Sequence, residues 1–494
     1  MLSNTTGLLI GIITQSLVPR ALGISNYGNF GFISNFFKRV VTLFNSGASL
    51  GFYTKLSKRP EESSMIRFFW FFVLLVAISI CLTMLIIISL DFEKYLLPDQ
   101  LKKFIWLGLF WGLLTWATDI VGNIVDAYGH TVTREKILIS QKILGLGSIL
   151  ILFYSKELTL TTFFYYHYGI LIYLIVTWWI LLKKKNVELF PKKRLPIDTL
   201  KSYIKEYYIY SGPLIIYAGI QFITGFFDRW ILQWYSGSEQ QGLFTLSNKV
   251  AALCFIFSNA MVPLITREFS IASKNNNIDI MKTTFIKYIP MLYVITAFFG
   301  IFISVHSEYV VLIIGGNEYL DGAFAMSIMT IYPIHQTYGR LSNSLFYATG
   351  QTKLYSILAS GLLITGLPVV YLMIAPSDLL GLELGATGLA LKMVMMQFFG
   401  VNIFLWFNCR YLNMNFFKLL WHQLYIVGVF YFIAYFVSSS LDVFINQNLI
   451  SFILSGALYS IIIAGFIYLI PQSISMKRVE IDRHIKQLKI KLLH

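Results

Sequence analysis

The sequence predicts an all-α polytopic membrane protein with about fourteen transmembrane helices. Of its 494 residues, 56 % are apolar and only 13 % are charged, and the mean hydropathy is +0.68. Soluble proteins carry roughly 25 % charged residues, so this deficit argues against a globular enzyme held by a single anchor. Apolar runs long enough to cross a bilayer also recur along the whole chain.

Each predicted span is a mainly apolar run, with about 18 to 25 residues as the length expected for a helix that crosses the hydrocarbon core. The fourteen spans cover residues 5–19, 29–52, 66–90, 104–125, 137–154, 160–182, 210–234, 243–265, 285–305, 323–347, 354–375, 386–408, 419–439 and 449–470. Connections on the predicted outer side are short, the longest being 306–322. They leave no room for a catalytic domain, so we expect a protein that is not an enzyme.

The formal net charge of +15 is explained by membrane topology rather than by nucleic-acid binding. With both termini inside, 27 basic residues fall on the inner side and only five on the outer side. Because cytoplasmic loops concentrate Lys and Arg, both termini are predicted to be cytoplasmic. The basic tail after Pro471 has the pattern of an interfacial amphipathic helix, with a solvated tail as the alternative.

An internal repeat organises the chain. Residues 27–30 (YGNF) open the second span and residues 241–244 (QGLF) open the eighth, while 127–131 (AYGHT) end the fourth and 348–352 (ATGQT) end the tenth. The two pairs are offset by 214 and 221 residues, so they lie nearly in register. Six spans, an even number, separate the equivalents. This predicts two six-helix lobes in parallel repeat around a central cavity, followed by two further helices.

The predicted domains follow this repeat. They are an N-terminal six-helix lobe at 1–182, a cytoplasmic basic linker at 183–209, a C-terminal six-helix lobe at 210–408, two additional transmembrane helices at 409–471 and a basic cytoplasmic tail at 472–494. The linker contains the basic run KKKNVELFPKKRLP, which marks it as the boundary between the lobes. Compared with its repeat, where Pro213 stands early in the span, the first helix lacks several residues, as an upstream start would explain.

Several short motifs occur in order along the chain. Residues 19–23 (PRALG) followed by 27–30 (YGNF) match the pattern R-x-L-G-x-x-x-[YF]-G, and A-x-G-x-T turns stand at Gly129 and Gly350. Further matches are the early Pro213 with Asp228-Arg229 in the same span, and Gly316–Tyr319 (GNEY) before the tenth. Together they resemble Wzx-type polysaccharide flippases of the multidrug/oligosaccharidyl-lipid/polysaccharide exporter superfamily. The short first helix departs from that family's pattern.

This resemblance implies a flippase that moves an undecaprenyl-diphosphate-linked oligosaccharide across the bacterial cytoplasmic (inner) membrane. The glycan would be an O-antigen repeat unit of lipopolysaccharide or a capsule repeat unit, carried from the inner to the outer leaflet by alternating access. The implied partners are this lipid-linked glycan, membrane lipids, a polysaccharide polymerase and a chain-length regulator. The alternatives are a lipid II flippase or an ion-coupled small-molecule or drug antiporter of the same superfamily.

Seven basic residues lie at least five residues from either end of a predicted span, against two embedded acids. A charge at the bilayer centre costs about 2.5 to 3.5 kcal/mol, so most of these side chains must face protein or water. Two acids cannot neutralise seven cations, which predicts a net-positive cavity suited to a diphosphate. The predicted substrate-binding residues are Arg20 at the outer rim, Lys38, Arg39, Arg229, Lys249 and Arg340. Lys142 and Lys392, near inner helix ends, are predicted to snorkel to the interface.

Three residues are candidates for ion coupling: Asp119, Asp228 and His335. The alternatives are a hydrogen-bonded core histidine at 335 and a structural ion pair between Asp228 and Arg229. The chain has no G-x-x-x-x-G-K-[ST] motif, no metal-ligand spacing and only three widely separated cysteines, so we expect no cofactor and no metal. Energy is therefore expected from an ion gradient, the membrane potential or consumption of the product.

Overall fold

The computed structural model describes residues 2–45, 48–191, 196–442 and 449–483, and within these ranges the chain forms α-helices and short 3-10 turns without a strand. Parts of four predicted features lie outside the described residues. They are residues 46–47 of the second span, 192–195 of the linker, 443–448 between the last two spans, and 484–494 of the basic tail.

The chain divides into two compact units, of which the first comprises Met1–Gly242 and Val370–Gly385. Within it, α6 packs against α2, α3 and α8, and α1 packs against α7. Its helices are α1 (Leu2–Leu22), α2 (Ile24–Asn45), α3 (Ala48–Lys58), α4 (Ser63–Ser89), α5 (Glu93–Leu96), α6 (Lys102–Ala127), α7 (Thr131–Tyr154), α8 (Leu160–Lys184) and most of the long α9 (Ile197–Leu253).

The second unit comprises Leu243–Val369 and Ala386–His494. Its core surrounds α11, which packs against α10, α14 and α17 through fully buried side chains such as Phe285, Tyr293, Tyr338 and Phe430. The helices are α10 (Ile256–Lys274), α11 (Ile278–Val305), α12 (Ser307–Ile314), α13 (Ala323–Met329), α14 (Tyr332–Ala348), α15 (Thr352–Ile374), α16 (Gly385–Tyr411), α17 (Phe416–Asp442) and α18 (Leu449–Leu469).

Nine of the described helices are long and apolar enough to cross a bilayer, and a pair of helices bent at a break makes a tenth. Each of the fourteen predicted spans overlaps one helix or two consecutive helices, and α9 contains the seventh span and the start of the eighth. Fewer described helices than predicted spans meet this test, because some spans are broken or contain charges. For example, α2 carries Lys38 and Arg39, and the predicted tenth span is divided between α13 and α14. The predicted all-α polytopic membrane fold is confirmed.

The turns that carry the repeat have matching backbone geometry. Gly129 and Gly350 have φ of 78° and 72°, a left-handed conformation that glycine adopts without strain. At both turns three successive N–H groups donate to the last turn of the preceding helix in the same pattern, as in a Schellman-type cap. Gly23 and Gly237, with φ of 73° and 75°, form another pair, again 214 residues apart. The repeat in the sequence is therefore also present in the backbone.

Gly28 and Gly242, the glycines of the YGNF and QGLF motifs, allow a close backbone contact within the first unit. A Cβ added to Gly28 would lie 2.7 Å from the backbone nitrogen of Gly242 and would overlap the carbonyl oxygen of Ser238. A Cβ added to Gly242 would overlap the carbonyl oxygen of Ile24. Backbone atoms cannot rotate away as a side chain can, so α2 and α9 need glycine at this crossing.

We expect Gly28→Ala to destabilise the protein by about 1–3 kcal/mol, because the added methyl group must displace the backbone of α9. The measurement is thermal unfolding of the detergent-solubilised protein, together with its level in the membrane. Gly11→Ala is the matched control, since nothing lies within 4 Å of a Cβ at that position. Equal stability of the two variants would contradict the close contact.

Ionic hydrogen bonds hold the start of α9 against the end of α3. Glu206 Oε2 accepts from Lys55 Nζ at 2.7 Å and from Arg59 Nη2 at 2.9 Å. The described part of the predicted linker at 183–209 lies inside the first unit, and the change from one unit to the other falls after Gly242. The predicted domain limits describe the sequence repeat, and as boundaries of folding units they stay a prediction.

Glu206 gives a pH-dependent prediction. The hydrogen bond from Lys55, reinforced by Arg59, outweighs desolvation and holds the pKa of the Glu206 carboxyl below its ordinary value. The ionised group therefore stabilises the fold above the unfolded-state pKa, and this stabilisation is lost as pH falls through the folded-state pKa. Glu206→Gln should lower stability at neutral pH by up to about 1 kcal/mol and reduce the loss of thermal stability on acidification. Exposed Glu188→Gln is the control, and a wild-type acid profile for Glu206→Gln would contradict the account.

Candidate functional site

Arg39 on α2 is held by groups from α2 and α9 of the first unit. Its Nε donates to Asn35 Oδ1 at 2.8 Å, one helical turn earlier, and its Nη1 donates to the carbonyl oxygen of Gln221 at 3.3 Å. The guanidinium lies against Gly225, where an added Cβ would overlap it. Asn35, Gln221 and Gly225 thus fix the position of a cation inside a predicted membrane span.

Arg229 on α9 is hydrogen-bonded to Gln241, which lies further along the same helix. Its Nη1 donates to Gln241 Oε1 at 3.1 Å, and Gln241 Nε2 donates back to the Arg229 carbonyl oxygen. In a straight helix two residues twelve positions apart stand about 18 Å from each other, so the helix cannot be straight here. The left-handed Gly237 supplies the break. Arg229 is 8 % exposed and Gln241 is fully buried.

Arg39, Asp228 and Arg229 form a guanidinium cluster. Asp228 attracts both arginines, while Arg39 and Arg229 are close enough to repel each other. Arginine stays protonated in proteins, so two cations and one carboxylate give the cluster a net positive charge. Such a charge within a membrane span is costly unless a ligand or water solvates it. An anion would remove the repulsion between the two guanidinium groups.

The other predicted site residues of the first unit lie outside this cluster. Lys38 and Asp119 are both exposed and attract each other across α2 and α6. Arg134 also attracts Asp119, while it forms its own ion pair with Asp126 at 2.8 Å. Arg20 is exposed in the last turn of α1. Lys38 and Asp119 thus form a second charged group in the first unit.

Two predicted cations belong to the second unit. The guanidinium of Arg340 lies 4.0 Å from the ring centre of Phe255, and its Nη1 donates to Asn259 Oδ1. These contacts hold the half-buried Arg340 between α10 and α14 by a cation–π contact and a hydrogen bond. Lys249 is half-buried near the end of α9. Whether either residue lines a cavity stays a prediction.

His335 is buried in the second unit, 6 % exposed. Its Nδ1 lies 3.4 Å from the hydroxyl of Tyr293, which also donates to the carbonyl oxygen of Gln423 at 3.1 Å, and the ring of Phe398 packs at 5.0 Å. These contacts are those of a hydrogen-bonded core histidine. Its role in ion coupling stays a prediction.

Within the described ranges, no group of three or more His, Cys, Asp or Glu side chains could hold a metal ion. The three cysteines, Cys81, Cys254 and Cys409, are free thiols. The chemistry available in the described site is therefore charge and hydrogen bonding.

Solved structures of membrane transporters share this architecture. The lipid II flippase MurJ in an inward closed conformation matches with a TM-score of 0.69 at 14 % identity, covering 94 % of this chain and 98 % of that chain. An inward-facing multidrug resistance MATE family transporter of the MOP superfamily matches with a TM-score of 0.62 at 15 % identity, covering 83 % of this chain and 94 % of that chain. A MOP superfamily transporter from Pyrococcus furiosus, described by a binding pocket of reverse polarity, matches with a TM-score of 0.55 at 15 % identity, covering 84 % of this chain and 96 % of that chain. No protein-family model and no curated protein matches the chain.

This chain shares the fold of these solved transporters. Identities of 14–15 % establish the architecture and nothing about the cargo. The shared fold is consistent with about fourteen helices, as the sequence predicts, and together with the apolar helices it indicates a multi-pass membrane protein.

The prediction that Lys392 snorkels to the interface is wrong. Its side chain is only 8 % exposed, and a Cβ added to Gly366 of α15 would lie 3.0 Å from Lys392 Cε and 3.3 Å from its Nζ. The glycine leaves room for the end of the lysine side chain inside the second unit. Sequence position near a helix end could not reveal this facing glycine.

Sequence reasoning missed several residues of the guanidinium site, among them Gln241, Asn35 and Gly225. Gln241 belongs to the QGLF motif, which served only as a landmark of the repeat. Asn35 stands four residues before Arg39, a spacing that places two side chains on one face of a helix, and this signal could have found it. Gly225 gives no signal in the sequence, because its role depends on the contact between α2 and α9.

Proposed function

We propose that this protein is a flippase for an undecaprenyl-diphosphate-linked oligosaccharide, an O-antigen or capsule repeat unit. The supporting observation is the guanidinium cluster, in which Arg39 and Arg229 lie near each other with Asp228 as the shared acid. A diphosphate is the part common to all such substrates, whatever sugars they carry. A cluster that binds it recognises the class of substrate rather than one glycan.

The geometry of Arg39 suits a phosphate ligand. Among the described residues Arg39 donates to Asn35 and Gln221 only, which leaves three of its five N–H groups for phosphate oxygens. Guanidinium groups bind phosphate through two parallel hydrogen bonds, and these bonds are stronger away from bulk water. Arg229, already fixed by Gln241, contributes a second positive charge in a constant position.

The proposed cycle exposes this cluster alternately to the two sides of the membrane. The cluster offsets part of the charge of the bound diphosphate, so its passage through the protein avoids the cost of placing a bare diphosphate in hydrocarbon. Asp119, Asp228 and His335 remain the candidates for coupling to an ion gradient. The basic bias of the inner loops supports a cytoplasmic membrane location with both termini cytoplasmic, where a polymerase and a chain-length regulator would use the exported unit.

A lipid II flippase is the second candidate, favoured by the likeness of the fold to MurJ over 94 % of this chain. Lipid II carries the same kind of polyprenyl diphosphate, so the guanidinium cluster serves both proposals equally. A drug antiporter is a weaker candidate, because a net-positive cluster repels the cationic drugs that such a carrier would export.

Deleting the gene and analysing lipid-linked intermediates tests the proposal. We expect a polyprenyl-diphosphate oligosaccharide to accumulate on the inner leaflet and surface polysaccharide to disappear, with peptidoglycan synthesis unchanged. Accumulation of lipid II instead would favour the second candidate. Normal levels of both intermediates with increased sensitivity to toxic cations would contradict both flippase proposals.

A further inference from the structure

We propose that residues 375–384, the leucine loop between α15 and α16, form a membrane anchor that inserts leucine side chains at the boundary between lipid headgroups and acyl chains. The loop belongs to the first unit, together with the last turn of α15. This inference does not depend on the cargo of the transporter. It assigns a lipid surface as the partner of a loop that would otherwise be taken as an aqueous connection.

The leucine loop exposes an unusual amount of apolar surface. Leu380 is 84 % exposed, Leu382 58 % and Leu379 43 %, with Leu384 beside them at 37 %. The only charged residues of the loop are Asp378 and Glu383. Adjacent exposed leucines in one short loop mark an interaction surface, since isolated exposed leucines are common but contiguous ones are not.

The backbone of the loop holds these leucines outward. Leu380 adopts φ of 65°, a left-handed conformation that bulky residues avoid, within a turn closed by the hydrogen bond from Gly381 N to Pro376 O at 2.9 Å. A Cβ on Gly381 would overlap the carbonyl oxygen of Ala375, so this turn requires glycine. The Glu383 carboxylate accepts from Ser377 N at 2.6 Å and closes the loop a second time.

Two further hydrogen bonds set the level of the loop relative to α15. Leu382 N donates to Leu372 O at 2.9 Å and Leu384 N donates to Met373 O at 3.0 Å, so the returning chain lies alongside the last turn of α15. Leu382 is therefore level with Leu372, a 47 % exposed residue of a helix able to span the bilayer.

The length of α15 places that level at the interface. Its 23 residues extend about 35 Å at about 1.5 Å per residue, slightly more than the hydrocarbon core of about 30 Å. The last turn thus emerges among the headgroups, where leucine side chains can reach the acyl chains and acidic groups can stay in water. A lipid surface fits both the leucines and their level, which is why we assign lipid as the occupant.

The test uses a fluorescent label at one introduced cysteine, with the three native cysteines replaced. Leu380→Cys carrying an environment-sensitive dye is reconstituted into phosphatidylcholine–phosphatidylglycerol vesicles, and Asn276→Cys, in an exposed polar turn that also has a left-handed residue, is the matched control. We expect blue-shifted emission at position 380, at least twofold weaker quenching by iodide than at 276, and quenching by lipids brominated near the headgroup.

A second labelling position controls for perturbation of the loop by the dye. Leu382→Cys should show the same protection and stronger quenching by lipids, because it lies level with the last turn of α15. Equal iodide quenching at 380, 382 and 276, with no effect of brominated lipids, would overturn the proposal. Protection in native membranes that is absent in vesicles would also overturn it, because that result identifies a protein partner.

Discussion

Replacing Arg39 or Arg229 with alanine is expected to reduce export of surface polysaccharide at least about tenfold. A hydrogen bond to a charged group contributes about 1.5–3 kcal/mol, and each 1.4 kcal/mol is a tenfold change in an equilibrium constant. Each substitution removes one of the two guanidinium groups of the cluster. The measurement is complementation of a deletion strain, normalised to the level of protein in the membrane.

Two further variants separate substrate binding from structural support. Arg39→Lys should keep part of the activity, because a point charge still attracts phosphate without bidentate geometry. Gln241→Ala removes one hydrogen-bond partner of Arg229 but leaves its charge, so export should fall less than in Arg229→Ala. If Gln241→Ala is as defective as Arg229→Ala, the arginine is a structural residue. Normal export by both arginine-to-alanine variants would contradict a role for the guanidinium cluster.

Gly225→Leu is expected to reproduce the defect of Arg39→Ala with the arginine still present. Its side chain would occupy the space of the Arg39 guanidinium and force that group away from Gln221. Export should again fall about tenfold or more, since a displaced guanidinium can no longer donate its charged hydrogen bonds to the phosphate. The measurement is the same export assay, combined with thermal unfolding to show that the protein remains folded.

The chain offers a matched control on the same helix. Gly219 lies six residues earlier on α9, and nothing lies within 4 Å of a Cβ there, so Gly219→Leu should export normally. Adding Arg39→Ala to Gly225→Leu should reduce export little further, because both changes remove the same guanidinium from the site. Full activity in Gly225→Leu, or additive defects in the double variant, would show that the position of Arg39 is unimportant.

The sequence allows most of the fold to be predicted, because spans and repeats follow from composition and local pattern. The apolar runs predict the helices, and the turn glycines Gly129 and Gly350 predict equivalent helix ends, since their left-handed conformation is a local property. The packing of the start of α9 against the end of α3 could not be predicted from these signals, because it depends on contacts between residues distant in sequence, such as the ion pair between Glu206 and Lys55.

The candidate site was predictable in charge but not in geometry. Arg39, Asp228 and Arg229 stand out as embedded charges in the sequence, and the fold brings them together. The enclosure of Arg229 by Gln241 was not predictable, because it requires the backbone to bend at Gly237. Lys392 shows the same limit, since its burial depends on a glycine of another helix.

Transport in a defined system tests the central claim most directly. The purified protein is reconstituted into vesicles, a polyprenyl-diphosphate oligosaccharide with a fluorescent sugar is placed in both leaflets, and a membrane-impermeant reagent destroys the outer fluorescence. We expect the protein to make the inner pool accessible, and Arg39→Ala and Arg229→Ala to slow this about tenfold or more. An inner pool that stays protected with wild-type protein shown to be folded, with or without an imposed ion gradient, would contradict the account.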